Sequence, residues 1–296
     1  MAARRRPADG NLVPRVGFAV VAIPLALLIV WYGGVPLVLL LAAAAALGTR
    51  ELFGLAARDG VRPARALGVV SAAAVAPIAY GALALPEARA VVSAAWPYAG
   101  AIWLIAVLSW TLAARAPTDR PLSAAAVTVL GVAYTGALPA FVLAIRHDGH
   151  GLRSWPGAWL VFFPLVVTWV CDTAAMFGGR AFGGPRLAPT VSPGKTRSGS
   201  VAGVAGGLLV AGLFGALGFP RAAVAVPLWQ LLLIAAVLTV VGQLGDLAES
   251  LFKREAGVKD SSNLIPGHGG VLDRLDSLYF VVPVTAAMYR LFGIIP

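Results

Sequence analysis

The sequence has little charge and almost no cysteine. Charged residues make up 12% of its 296 positions, whereas an ordinary soluble domain carries about 25%. So few charges cannot coat a globular surface, and a hydrophobic content of 59% excludes a disordered chain. The single cysteine, Cys171, excludes an internal disulfide framework. With a mean hydropathy of +0.84, the composition is that of an integral membrane protein.

The basic residues do not form a nucleic-acid-binding segment. The net charge is +10, but the 23 lysines and arginines are scattered among apolar runs. A nucleic-acid-binding domain concentrates its basic residues on one face or stripe. We therefore expect the lipid bilayer as a partner and no nucleic acid.

Apolar stretches of about 20 residues predict an all-α membrane protein with about nine transmembrane helices. A signal peptide is the weaker interpretation of the first stretch, because further spans follow it directly. The segment 30–36 is either a tight hairpin or a kinked continuation, so the pattern allows eight to ten spans. The predicted spans cover residues 16–32, 35–49, 66–86, 90–113, 122–145, 157–178, 199–219, 224–247 and 277–295.

The distribution of basic residues predicts the orientation, because lysine and arginine are retained on the cytoplasmic side. With the N-terminus inside, 18 of the 23 basic residues fall in cytoplasmic connections. We expect a multi-pass protein of a bacterial-type inner (plasma) membrane. Residues 1–150 would hold spans 1–5, and residues 151–296 would hold spans 6–9 with cytoplasmic loops 179–198 and 248–276.

Two polar segments of the first half are predicted to be solvated. The basic segment 50–65 is interpreted as a loop lying on anionic lipid. His147, Asp148 and His150 are expected in a solvated loop on the opposite side.

Acidic residues gather near the predicted cytoplasmic ends of the later spans. Six of the 13 fall between residues 246 and 276, and Asp172 lies near the end of the sixth span. A carboxylate at membrane depth is costly unless it is paired, solvated or bound to a cation, so its default interpretation is functional. Snorkelling to the interface is the alternative for Asp172 and Asp246.

Helical spacing strengthens the functional interpretation. Asp246, Glu249 and Lys253 lie at i, i+3 and i+7 and share one helix face, as do Asp273 and Asp276 on the next helix. Two helices would thus present carboxylates at the same depth. Hard oxygen ligands without a set of cysteines and histidines suit Mg²⁺ better than zinc.

Two polar loops carry candidate phosphate-binding groups. Glycines 269 and 270 allow a close backbone approach to a ligand, and His268 either contacts nucleotide or phosphate or is bonded within the loop. The other loop contains Gly-Lys-Thr, but Pro189 stands where a P-loop needs glycine, so we reject a P-loop. All three lysines of the chain lie in these two segments. The candidate donors are Lys253, Arg254, Lys259 and Arg274 in the later loop, and Ser192, Lys195, Thr196 and Arg197 in the earlier one.

These residues resemble a known family. The segments 250–254, 259–260, 266–270 and 273–277 are similar to the C-terminal signature of phosphatidate cytidylyltransferases, also called CDP-diglyceride synthases. Upstream, Asp172-Thr-Ala-Ala and Ser192-Pro-x-Lys-Thr are similar too. The chain departs from the family pattern at Ala175-Met176, where an aromatic pair is usual, and at Ser198, where an acid is usual.

The resemblance implies a reaction and a site. CTP and phosphatidate would give CDP-diacylglycerol and pyrophosphate with Mg²⁺, for phospholipid biosynthesis. By this resemblance Asp246 and Asp273 hold the metal, with Asp172 and Asp276 as further ligands or neighbours. The implied phosphate-binding set is Lys195, Lys253, Arg254, Lys259 and Arg274. A second cation and a homodimer are left open.

Two other functions fit the sequence less well. A CDP-alcohol phosphotransferase needs an Asp-Gly-x-x-Ala-Arg run, and none of the three Asp-Gly pairs continues that way. A cation-coupled transporter would use Asp172 and Asp246 as a relay near mid-membrane. Here the acids crowd the predicted cytoplasmic end of the second half instead.

Overall fold

The structure, a computed structural model, describes residues 12–265 and 269–296. Within these residues the chain is a helical bundle with one small hairpin. Strands β1 (Arg186–Ala188) and β2 (Ser192–Thr196) pair antiparallel. The helices are α1 (Leu12–Tyr32), α2 (Gly34–Arg58), α3 (Arg65–Ala84), α4 (Pro86–Ala114), α5 (Pro121–His147), α6 (Trp155–Phe182), α7 (Arg197–Arg221), α8 (Leu228–Glu255) and α9 (Leu272–Leu291).

Seven helices, α2 to α8, are long and apolar enough to cross a membrane when the described residues are considered. Each of the nine predicted spans overlaps one of the helices α1 to α9. The helical membrane architecture is therefore confirmed. Crossing by α1 and α9, and with it the count of nine, stays a prediction. The hairpin was not predicted.

A tight turn separates α1 from α2. Gly33 and Gly34 have φ angles of 71° and 56°, a left-handed conformation that glycine adopts without strain. The buried guanidinium of Arg146 on α5 binds the end of α1, donating to the carbonyls of Val30 at 2.7 Å and Trp31 at 2.6 Å. Carbonyls in the last turn of a helix have no intrahelical partner, so Arg146 replaces the missing donors. Of the two interpretations of segment 30–36, the tight turn is the one observed.

Polar contacts divide the helix ends between two faces of the bundle. On one face, Asp148 pairs with Arg89 at 3.0 Å and with Arg290 at 2.9 Å. This joins the end of α5 to the start of α4 and the end of α9. On the other face, Arg115 donates to the carbonyl of Arg62 at 2.9 Å, joining the end of α4 to the segment before α3. This is the arrangement that alternating spans require. Which face is cytoplasmic stays a prediction.

The expectation that His147 and Asp148 are solvated is wrong. Asp148 is only 5% exposed, because it lies between two arginines. His147 Nε2 accepts a hydrogen bond of 2.9 Å from the amide of Gly34. The α1–α2 turn covers this histidine, and a sequence pattern does not reveal such a tertiary contact.

The interpretation of segment 50–65 as a loop on the lipid surface is also wrong. Helix α2 continues to Arg58, and its apolar residues in this stretch are buried. The Phe53 ring lies between Gly68 of α3 and Gly131 of α5, and a Cβ at either glycine would come within 2.5 Å of it. Packing of this ring between two glycines therefore draws the end of α2 into the bundle.

Small residues allow α6 and α7 to approach closely, as is common between membrane helices. A Cβ on Gly178 of α6 would lie 2.3 Å from the Cβ of Ala202 on α7, and one on Gly203 would lie 3.0 Å from Cys171 Sγ. These two helices flank the hairpin. Their close packing therefore fixes where the hairpin lies over the bundle.

This packing predicts that Gly178→Ala destabilises the protein. The added methyl group meets the Cβ of Ala202, which cannot rotate away, and overpacking of this kind costs about 1–3 kcal/mol. We expect the melting temperature in detergent to fall by several degrees. Gly212→Ala, which adds a methyl group to open space on α7, is the matched control. Equal melting temperatures for the two variants would contradict the packing.

Candidate active site

One cavity collects most of the polar residues selected from the sequence. Its volume is about 1180 Å³, and its walls come from α1, α6, the hairpin, α7, α8, α9 and the loop before α9. Eight sequence-predicted site residues line it. They are Asp172, Lys195, Thr196, Asp246, Lys253, Asp273, Arg274 and Asp276.

Both charged and apolar residues line the cavity. Helix α1 contributes only apolar residues, Ala22, Ile23 and Ala26, and Trp169 of α6 and Leu278 of α9 are apolar as well. Acids and bases come from α6, the hairpin, α8, the loop before α9 and α9 itself. The cavity therefore suits a ligand with one highly charged part and one apolar part.

A salt bridge joins the two polar segments. Lys195 Nζ on β2 lies 2.5 Å from Asp246 Oδ2 on α8, and both side chains are about one quarter exposed. The segments were predicted separately, and sequence spacing does not place them in contact. An anion entering the cavity would meet the lysine, and a cation would meet the aspartate.

Lys253 forms the centre of a buried charge cluster. Its ammonium lies 2.7 Å from Asp273 Oδ1 and also pairs with Glu249, one helical turn earlier on α8. Glu249 is fully buried, and Lys253 and Asp273 are below 10% exposed. The shared helix face predicted for Glu249 and Lys253 is confirmed. Two carboxyl groups therefore share one ammonium in this cluster.

Asp273 organises the loop before α9. Its Oδ2 accepts hydrogen bonds from Ser261 N at 2.9 Å, Ser261 Oγ at 2.7 Å and Gly270 N at 2.8 Å. Lys253 is the fourth donor and binds Oδ1. Three donors therefore fill Oδ2, whereas Oδ1 has one donor and about one further lone-pair site. The predicted role of Asp273 as a metal ligand stays a prediction.

The described residues hold no preformed metal site. No group of three or more His, Cys, Asp or Glu side chains among them is gathered closely enough to hold a metal ion. Asp172 and Asp276 line the same cavity as Asp246, and Asp276 Oδ1 accepts a hydrogen bond from Ser277 N. Oxygen donors are therefore available around the cavity, but at separate points.

Other predicted residues have structural partners. Thr196 Oγ1 accepts from Gly199 N at 3.1 Å and caps the start of α7. Ser198, where the family usually has an acid, donates to the carbonyl of Gly183. Arg254 donates to the carbonyl of Val191 at 3.1 Å and so connects α8 to the hairpin. These contacts position the hairpin at the edge of the cavity.

Some predicted residues do not line the cavity. Arg197, Arg254 and Lys259 are exposed, and Ser192 is half-buried in β2. Gly269 and Gly270 lie beside the Asp273 carboxylate. A Cβ on Gly269, where φ is 82°, would lie 2.7 Å from Asp273 Oδ2. Their closeness to carboxylates accounts for glycine at both positions, and the predicted approach of a ligand to them stays a prediction. His268 lies outside the described residues.

Glu51 is a further candidate residue, which the sequence pattern did not indicate. This residue of α2 is 8% exposed and accepts hydrogen bonds from the loop before α9 and from the start of that helix. The available signal was a lone carboxylate at the end of an apolar run, which is a functional candidate by default. The basic residues around it, which are typical of a surface loop, hide this signal in the sequence.

The charge cluster predicts a large effect of Lys253→Met on stability. Removing the ammonium leaves Glu249 and Asp273 buried and uncompensated, and breaking a buried pair costs about 3–5 kcal/mol. We expect the melting temperature in detergent to fall by about 6 °C or more. Lys259→Met removes an exposed lysine from the same segment, so its melting temperature should stay within about 1 °C of the wild type. A similar small effect for both variants would contradict the cluster.

Comparison with known proteins identifies the family. Residues 13–292 match the sequence model described as the cytidylyltransferase family. A phosphatidate cytidylyltransferase of Brucella suis is 50% identical over 139 residues, which are 46% of this chain and 47% of that protein. The proteins of the same name from Haemophilus influenzae and Pseudomonas aeruginosa are 37% and 41% identical, over 63% and 64% of this chain and 64% and 69% of theirs.

The chain spans about half the length of the Brucella relatives that it matches. The family match, in contrast, extends over nearly all of the helices, from α1 to the end of α9. It therefore includes every element that lines the cavity. The chain belongs to the cytidylyltransferase family.

Proposed function

We propose that the chain transfers the cytidylyl group of CTP to phosphatidate, giving CDP-diacylglycerol and pyrophosphate. The observation that carries the proposal is a cavity lined by both charged and apolar groups, in a chain of the cytidylyltransferase family. The charged groups suit a triphosphate and a phosphate head group. The apolar groups, among them those of α1, suit the start of the acyl chains, whose remaining length can stay in the bilayer. No observation favours cation-coupled transport.

The reaction requires charge neutralisation more than a base. A phosphate oxygen of phosphatidate attacks the α-phosphorus of CTP, the new P–O bond forms, and the bond from the α-phosphorus to the bridging oxygen breaks. Pyrophosphate leaves with that oxygen and its electron pair. The second pKa of a phosphomonoester is about 6, so the attacking oxygen is already ionised at neutral pH. Catalysis then consists mainly of positioning two anions and stabilising the leaving group.

Lys195 and Arg274 are the cavity bases that we assign to the phosphates. Both line the cavity, from β2 and from the first turn of α9. Lys195 would exchange its contact with Asp246 for a phosphate oxygen as substrate enters. Lys253 already has two carboxylate partners, so we assign it to positioning Asp273.

The oxygen donors of the cavity fit Mg²⁺. This ion is usually held by one or two carboxylates, substrate phosphates and water, so a preformed set of three protein ligands is not needed. We assign Asp246 as the first ligand, with Asp172 and Asp276 as its neighbours on the cavity wall. The ion would neutralise part of the triphosphate charge and of the departing pyrophosphate.

We place the site at the cytoplasmic surface of the membrane. One face of the bundle carries the end of α4, the segment before α3, the hairpin and the loop before α9. The contacts of Arg115, Arg254 and Glu51 hold these segments to the helices there. This face carries the larger share of basic residues in the predicted topology, which supports a cytoplasmic assignment.

An assay with purified protein in detergent tests the proposal. Pyrophosphate should be released from CTP only when phosphatidate and Mg²⁺ are both present. Asp246→Asn should reduce turnover at least about 100-fold, because a neutral amide is a poor ligand for Mg²⁺ and no longer positions Lys195. Glu255→Gln changes an exposed carboxylate on the same helix and should retain wild-type turnover.

Two results would contradict this assignment. A folded wild-type protein without turnover would refute the activity. Full turnover in Asp246→Asn would refute the role of that carboxylate while leaving the activity intact.

The contacts of Asp273 predict a different outcome for Asp273→Asn. This change disturbs both the buried ammonium and the loop, so we expect turnover and melting temperature to fall together. The Asp246 side chain is partly exposed, so Asp246→Asn should lower turnover but not the melting temperature. Measuring turnover and melting temperature for both variants separates a metal-binding role from a positioning role. An unchanged melting temperature in Asp273→Asn would contradict the positioning role of Asp273.

A further inference from the structure

Glu51 connects the first half of the chain to the candidate active site. It lies in the last two turns of α2, more than 200 residues from its partners, and is 8% exposed. Its Oε1 lies 2.7 Å from Ser262 Oγ and 3.1 Å from Val271 N. Its Oε2 lies 2.7 Å from Leu272 N and 3.1 Å from Ser261 Oγ. All these partners belong to the loop before α9 or to the start of that helix.

The carboxylate of Glu51 caps α9 from another helix. The first amides of a helix have no intrahelical acceptor, and the positive end of the helix dipole favours an anion there. Val271, at the N-cap position, supplies no side-chain cap. Glu51 supplies the missing acceptor for the amides of Val271 and Leu272. The start of α9 is therefore fixed by a residue of α2.

Glu51 and Asp273 hold the same loop from two sides. Ser261 Oγ has one proton to donate, and its distance to Asp273 is the shorter, so Ser262 and the two amides are the firm partners of Glu51. A Cβ on Gly270 would lie 2.3 Å from Glu51 Oε2. Only glycine permits this approach of the loop to the carboxylate. The loop is thereby held against both acids.

We infer that Glu51 is a positioning residue for the active site, which sets the loop before α9 and with it Asp273, Arg274 and Asp276. It does not line the cavity, so we assign it no direct contact with substrate. The helices of the first half of the chain would then have a role in the site, because they would hold the end of α2 against the loop before α9. Its effect on turnover rests on the proposed function, whereas its effect on the loop does not.

Glu51→Gln tests the inference with two readouts. Glutamine keeps the shape but replaces one acceptor oxygen by an amide group that faces backbone donors. Hydrogen–deuterium exchange across residues 258–275 should become at least about tenfold faster, because hydrogen bonds to a charged group are lost. The kcat for pyrophosphate release should fall by about 10- to 100-fold, with a smaller change in KM for CTP, because the reacting groups are misplaced. Glu51→Asp keeps the charge and should restore part of both.

The controls make each outcome decisive. Glu87→Gln changes an exposed glutamate of α4 and should leave both readouts at wild-type values. If Glu51→Gln does not fold, Ser262→Ala removes one donor and should accelerate exchange in the same segment alone. A hydrogen–deuterium exchange rate in Glu51→Gln equal to that of the wild type would overturn the inference. If that variant does not fold, a wild-type exchange rate in Ser262→Ala would overturn it. A wild-type protein without turnover but with accelerated exchange in Glu51→Gln would refute the proposed function and leave the positioning role standing.

Discussion

The ammonium of Lys253, held between Glu249 and Asp273, is the contact on which the candidate active site depends. A buried charge is tolerated only when it is paired and hydrogen-bonded. Each acid in this cluster therefore needs the lysine, and Asp273 also needs the loop amides that saturate its second oxygen. The cluster therefore joins α8, α9 and the loop between them.

The same requirement extends into the first half of the chain. The loop that satisfies Asp273 also satisfies Glu51, so one loop supplies donors to two acids from distant parts of the sequence. The opposite face has a comparable arrangement, in which Asp148 joins the ends of α4, α5 and α9 through two arginines. The few charges of this chain thus connect helices at both faces of the bundle. The cavity residues that these contacts do not use remain available to bind substrates.

Local pattern predicted much of the fold and part of the site. The nine helices follow from runs of apolar residues, and the shared face of Glu249 and Lys253 follows from helical spacing. The contact between Lys195 and Asp246 depends on the path of an unpredicted hairpin. The burial of α2 beyond Arg50 depends on glycines of α3 and α5 that admit Phe53. Such contacts are properties of the assembled bundle, so spacing along one helix does not reveal them.

The proposed function places CTP and a divalent cation in the cavity between the hairpin, α8 and α9. An experimental structure with a non-hydrolysable CTP analogue and Mn²⁺, which gives an anomalous signal, would locate both ligands. Mn²⁺ should lie beside Asp246, and the triphosphate should lie against Lys195 and Arg274. Nucleotide and metal bound away from these three residues would contradict this placement.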